Sequence, residues 1–197
     1  SNPWVIGVAS LFSTEFYRDV RRYLRDGGLF VQWIQLYEMA PVLLSTVVGA
    51  LDANFTDYEF WLANDSDMII VAVHNGSVPR PDPAAFANPE LKAPLERFVI
   101  KTPDDLHLHR LGGRRALQPY FASFGAAPNS DFFPVLEFQA PLSRFMRAGS
   151  GEVVNLLELA APIVALFDGD ARREPDPAQL SAGTRQWGKR ASWPEQA

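Results

Sequence analysis

The run Leu29-Phe30-Val31-Gln32-Trp33-Ile34 constrains this chain more than any other segment. It is uncharged, β-prone and almost without the apolar–polar alternation of a strand that keeps one face in water. It reads as a strand covered on both faces, the situation of a parallel sheet layered between helices. Before it, Ser13 or Thr14 can cap a helix whose apolar positions Phe12, Phe16, Val20, Tyr23 and Leu24 recur at spacings of three and four. Glu15, Arg18, Asp19, Arg21, Arg22 and Arg25 fall on its other faces, and Gly27-Gly28 supplies a stop. After it, Pro41 opens a second helix with Leu44, Val47, Val48 and Leu51 inward, ending near Asn54. Strands over 58–63 and 68–73 follow, joined by the turn Asn64-Asp65-Ser66-Asp67. A right-handed crossover makes the first strand parallel to the next. The expected architecture is α/β: the second half of a nucleotide-binding sheet, three strands flanked by two helices and finished by an antiparallel hairpin.

Past residue 75 the texture changes. Pro79, Pro81, Pro83, Pro89, Pro94 and Pro103 make 75–103 a connector with short helical turns, and Asp104-Asp105-Leu106 reads as a helix start. Residues 110–124 are expected to form one helix or two short ones, 129–138 an apolar-rich extended segment, and 152–167 a helix kinked at Pro162. Beyond Asp168 the polar, Gly- and Pro-bearing sequence reads as a frayed tail. The expected division is therefore 1–75, the sheet half; 76–168, a mostly helical, proline-rich extension; and 169–197, a tail.

Composition narrows the function. Across 197 residues, 18 Lys and Arg against 23 Asp and Glu leave a net charge of −5, so there is no cationic field for nucleic acid, while a cationic amine suits the sign. With no cysteine there is neither a disulfide framework nor a thiolate metal site. His107 and His109 share a face only in extended chain, and no third ligand stands near, so the solvated-surface reading outweighs a metal site. The longest apolar stretch, 156–167, is interrupted by Glu158 and Pro162 and falls short of the roughly 20 residues a membrane span needs. The chain opens Ser1-Asn2-Pro3-Trp4 with no methionine or targeting signal, which suggests a fragment of a longer, cytoplasmic protein that could carry membrane segments upstream.

One set of residues carries a resemblance. Asn2-Pro3, Leu11-Phe12, Glu15-Phe16-Tyr17, Leu24, Gly27-Gly28 and Val31-Gln32 follow a pattern of acidic residue and proline, Leu-Phe, a helix with Phe-Tyr and a later Leu, a Gly-Gly turn and a strand ending in Gln. This resembles the carboxy-terminal part of the spermidine synthase-like (polyamine aminopropyltransferase) family. Asn129-Ser130-Asp131 and Pro134-Val135-Leu136-Glu137 resemble a segment of its larger bacterial members. The resemblance implies the fold of S-adenosylmethionine-dependent methyltransferases, which is Rossmann-like. It also implies transfer of an aminopropyl group from decarboxylated S-adenosylmethionine, the co-substrate, to a polyamine or other small amine.

The departures bear on activity. The family's first motif aspartate, the expected base, would precede Ser1, and its second is Asn2, which keeps the shape but loses the charge that draws an ammonium. The region of the family's polyamine-contacting tyrosine is Trp61-Leu62-Ala63-Asn64. The glycine-rich turn and the ribose-binding acid belong to the upstream half. No catalytic residue and no cofactor site is thus expected within this chain, which would need its missing amino-terminal half to act. The substrate-binding candidates are Asn2, Gln32, Trp33 and Tyr37. Gln32, at a strand's carboxyl end, is either a substrate contact or a buried, hydrogen-bonded amide; Asn2 is either a contact or turn chemistry before proline; Trp33 and Tyr37 either wall an amine pocket or belong to the core. Asp65 and Asp67 are more simply hairpin-turn residues. A non-catalytic binding or scaffold module on the same fold is the alternative, and methyl transfer a third reading. An unpaired edge on strand 29–34 further implies a homo-oligomer or a marginally stable chain.

Overall fold

The computed structural model of the chain describes residues 2–5, 7–64, 66–151 and 153. They fall into two compact units, one drawn from Ser1–Val78 and Leu111–Asp170 and the other from Pro79–Arg110. The extension expected over 76–168 is divided between them. The helix expected at 152–167 and the tail at 169–197 lie outside the described residues, apart from Val153.

The first unit begins with a 3₁₀ turn, Ala9–Phe12, leading into α1, Thr14–Tyr23. The Ser13 hydroxyl accepts from the Phe16 N–H, so the cap is the residue expected. The buried stripe is shifted: Tyr17 is wholly buried whereas Tyr23 is exposed at the helix's last turn. Strand β1, Phe30–Gln35, follows, then α2, Pro41–Asp52, whose Leu44, Val47, Val48 and Leu51 all lie in the core. Helix α2 is apolar around most of its circumference and is correspondingly buried. Strands β2, Asp57–Leu62, and β3, Asp67–Val73, form the expected hairpin.

The sheet is antiparallel and has four strands in the order β1-β3-β2-β4, where β4 is Arg110–Gly113. This corrects the expectation of three strands and of a parallel neighbour for β1. The crossover through α2 does bring β1 and β2 into the same direction, since each is antiparallel to β3, but β3 returns between them. Residues 110–124 thus divide into a strand and α5, Arg114–Ala122.

One face of the sheet is closed. Phe30, Ala72 and Tyr58 lie in one row, Gln32, Ile70 and Phe60 in the next, and Ile34, Met68 and Leu62 in the third. Phe30 stacks on Phe55 at 5.5 Å, Phe60 meets Phe121 of α5 at 5.6 Å, and the Tyr58 hydroxyl donates to Asp52 at the end of α2. Each fully buried aliphatic or aromatic side chain in these rows contributes about 1.5–3 kcal/mol. The opposite face carries Val31, Trp33, Val71, Ile69 and Trp61; the last four are half-buried, and Val31 is 59% exposed. The run 29–34 is therefore not covered on both faces as its sequence implied. β1 also forms an edge of the sheet. The Leu36 N–H donates to the Ser66 carbonyl, so alternate residues 30, 32 and 34 bond to β3 and the backbone groups of Val31, Trp33 and Gln35 face outward.

The segment 129–138, expected to be extended, is a turn followed by helix α6, Val135–Phe145. Its N-cap, Pro134, offers no side-chain acceptor, and Asn129 supplies one instead: its Oδ1 accepts from the Leu136 N–H. Asn129 Nδ2 donates to the Ala9 and Phe12 carbonyls, while its backbone N–H donates to Thr46 and its carbonyl accepts from Thr14. Gly49 of α2 packs against Pro128 here, and a Cβ on it would lie in ordinary contact with the Pro128 ring at 3.4 Å.

In the second unit, a 3₁₀ turn Pro83–Ala87 precedes α3, Pro89–Arg97, and α4, Pro103–His107. Thr102 and Asp105 form a reciprocal capping box at the start of α4, where the sequence placed a helix start.

Candidate functional site

In open α/β sheets the loops leaving the carboxyl ends of strands hold ligands, and the loop leaving β1 is built for rigidity. The Leu36 carbonyl accepts from the Ser150 N–H at 2.7 Å, the Met39 carbonyl accepts from the Ser150 hydroxyl, and the Ala40 N–H donates to Ser143 Oγ of α6 at 2.8 Å. Between these tethers Tyr37 is exposed and Glu38 holds a left-handed backbone at φ 54°. Such strain in a non-glycine residue persists only where its surroundings enforce it.

Side chains from both ends of the unit converge here. Trp4 meets the Tyr37 ring edge-on at 5.9 Å, and the Arg144 guanidinium lies 4.9 Å over the Trp4 ring. Arg144 Nε also pairs with Glu38 Oε2 at 3.2 Å. Just inside the strand end, the fully buried Gln35 has neither its amide nitrogen nor its oxygen hydrogen-bonded. Its cross-strand neighbour Asp67 has one free carboxylate oxygen, Oδ1, the other accepting from Asn64. The Trp4 face and the Glu38 carboxylate together already hold one cation, the Arg144 guanidinium, which is the kind of group such a pair of ring and acceptor suits.

The four expected contacts are placed as follows. Asn2 sits in a turn, its carbonyl accepting from the Val5 N–H, two residues from Trp4 and so close in sequence to the ring that touches Tyr37. Tyr37 lies in the loop. Gln32 and Trp33, adjacent in β1, project to opposite faces. Gln32 is engaged within the fold: Oε1 accepts from the Tyr17 hydroxyl at 2.6 Å and Nε2 donates to the Leu11 carbonyl at 2.9 Å. Trp33 is half-buried opposite Ile69. Sequence reasoning missed Trp4, Gln35, Glu38 and Arg144. Gln35 was legible as a second amide near the strand end; Arg144, more than a hundred residues away, carried no local signal. Among the described residues no three His, Asp or Glu side chains are grouped to hold a metal, and no helix is long and apolar enough to cross a membrane.

The groups whose titration the fold shifts are structural. Burial pushes the Tyr17 hydroxyl up; burial and then the Asp52 carboxylate push Tyr58 up. Asp52 in turn raises Arg114, to which it is paired at 2.7 Å. Burial acts to raise Glu15, but the Asp131 and own backbone N–H groups, the Ser130 hydroxyl and Arg18 together hold it below its ordinary value. No protein-family model, curated protein or solved structure matches the chain.

Proposed function

We propose that this chain is the carboxy-terminal part of a spermidine synthase-like aminopropyltransferase, built on the second half of an S-adenosylmethionine-dependent methyltransferase-like sheet. The observation that carries the reading is the connectivity: β1 and β2 run parallel through the α2 crossover, and the hairpin strand β3 returns between them. That arrangement leaves the carboxyl end of β1, followed by Tyr37 with the Trp4 ring against it, at a sheet edge the upstream half would adjoin. In the reaction, the amine lone pair forms a carbon–nitrogen bond as the carbon–sulfur bond breaks, its electron pair returning to the departing thioether. The proton lost by the amine goes to the base upstream of Ser1. This chain's share is to hold the amine: Tyr37 and Trp4 as walls, Glu38 and the Asn2 amide as acceptors for an ammonium. Decarboxylated S-adenosylmethionine is held by the upstream half, so residues 1–197 alone are inactive. The sequence immediately upstream is the first test: a glycine-rich turn and an aspartate four residues before Pro3 are expected, and their absence overturns the reading. Calorimetry is the second: micromolar binding of decarboxylated S-adenosylmethionine by the isolated chain would refute the division of labour.

A second reading, a non-catalytic module on the same fold, is favoured by Gln32, whose side chain is already bonded to Tyr17 and Leu11. Titration with an alkyl diamine separates the two. Quenching of tryptophan fluorescence that Tyr37→Ala weakens supports the enzyme fragment; an unchanged spectrum supports the module.

A further inference from the structure

The Trp4 ring and the Glu38 carboxylate form a seat for a planar cation, and the chain's own Arg144 sits in it. The guanidinium carbon lies 4.9 Å over the ring while Nε stands 3.2 Å from Glu38 Oε2. Seat and occupant are held unequally. The Leu36 and Met39 carbonyls accept from Ser150 and the Ala40 N–H donates to Ser143, so the loop bearing Glu38 is tethered in its left-handed turn. Tyr37 backs the Trp4 ring edge-on. Arg144 reaches this seat from α6 on a long side chain that is 54% exposed. A cation–π contact and an ion pair at that exposure are each weak, and the guanidinium can leave for water without stranding a buried charge.

We propose that Trp4 and Glu38 are a binding site for an alkylguanidinium ligand, and that Arg144 is its resting occupant, displaced when the ligand enters. The occupant identifies the ligand class. A guanidinium offers a flat face to an indole and N–H donors in its own plane to a carboxylate, whereas a compact ammonium has no plane to stack. It stays charged at every physiological pH, so such a group anchors a molecule and leaves a separate amine to react. The inference deepens the aminopropyl-transfer reading and rests on it for that reacting amine; the seat and its exchange rest on the geometry. Self-occupancy weakens the apparent affinity by the fraction of time the seat is open. With one exposed ion pair and one cation–π contact holding Arg144, that factor is roughly tenfold.

The 197-residue chain and its variants are to be titrated with butylguanidinium chloride and followed by tryptophan fluorescence, Trp4→Phe assigning the signal among the five tryptophans. Arg144→Ala is expected to bind about tenfold more tightly than the parent, Arg144→Lys about as the parent does, and Arg144→Ala/Glu38→Gln to lose the gain. Butylammonium should bind Arg144→Ala more weakly than butylguanidinium. If Arg144→Ala misfolds by circular dichroism, the parent decides: its Arg144 Nε–H resonance, assigned by its loss in Arg144→Lys, should move towards that of free arginine as butylguanidinium saturates. Equal affinity in the parent and Arg144→Ala, binding that survives Glu38→Gln, or a resonance that stays put overturns the proposal. A tenfold gain for butylguanidinium with no response to an alkyl diamine keeps the seat and removes the amine-transfer reading. A diamine that binds the parent and Arg144→Ala alike, with butylguanidinium bound by neither, removes the seat and leaves that reading standing.

Discussion

Replacing Asn129 by alanine tests how the unit is held together. The side chain is 1% exposed and spends both amide atoms: its oxygen on the Leu136 N–H, its nitrogen on the Ala9 and Phe12 carbonyls. Alanine leaves one backbone donor and two acceptors without their partner. A buried group so stranded costs about 1–3 kcal/mol, and small shifts that admit water soften the total, so a loss of about 3–5 kcal/mol is expected. That is a large fraction of the roughly 5–15 kcal/mol by which a domain of this size is stable. Asn129→Asp sharpens the test. It retains the acceptor for Leu136 but points a carboxylate oxygen at two carbonyls, so its folded-state pKa should rise above the unfolded value. Its stability is then greatest at low pH, where a protonated oxygen can donate, and falls as pH rises past the ordinary aspartate value of about 4. Urea unfolding at pH 7 and pH 4, monitored by tryptophan fluorescence, reads both effects. An Asn129→Ala variant within about 1 kcal/mol of the parent would show that the network is replaceable by water.

Other outcomes follow from the same packing. Tyr17→Phe and Gln32→Leu should each destabilise, and their double-mutant cycle should show coupling of about 1–2 kcal/mol; additive effects would release Gln32 for a ligand. Phe60→Ala, which empties a site between Tyr58 and Phe121, should cost about 3–5 kcal/mol in urea unfolding. Because Tyr17 and Tyr58 have raised folded pKa values, their contribution is complete below the ordinary tyrosine value of 10.0 and is lost as pH rises beyond it. Tyr17→Phe should therefore flatten the alkaline limb of a stability–pH curve. Glu15 has a lowered folded pKa, so its contribution is present above its ordinary value of 4.5 and fades as pH falls through the folded one; Glu15→Gln should reduce the acid sensitivity of thermal unfolding.

Local chemistry determined a good deal of this protein without the fold. Ser13 before an amphipathic run, Pro41 at the start of another, the helix start at Asp104-Asp105-Leu106, and two β-prone runs around Asn64–Asp67 each specify an element through interactions within a few residues, so they were legible. The tertiary structure decided what those elements do to one another. Whether β1 lies beside β2 or has β3 between them is a pairing across some forty residues, to which the alternation pattern of the strands is blind. The four-residue β4 is too short to show a period and exists because β2 offers it an edge. Residues 129–138 looked extended because Pro134 and the phenylalanines interrupt helical periodicity. They form a turn and α6 because Asn129 caps the helix from outside while bonding to Ala9 and Phe12, contacts set by packing that no local pattern records. The candidate site divides the same way: Tyr37 followed from the strand's end, whereas Trp4, Glu38 and Arg144 meet there only because the chain's first residues and α6 close on one loop.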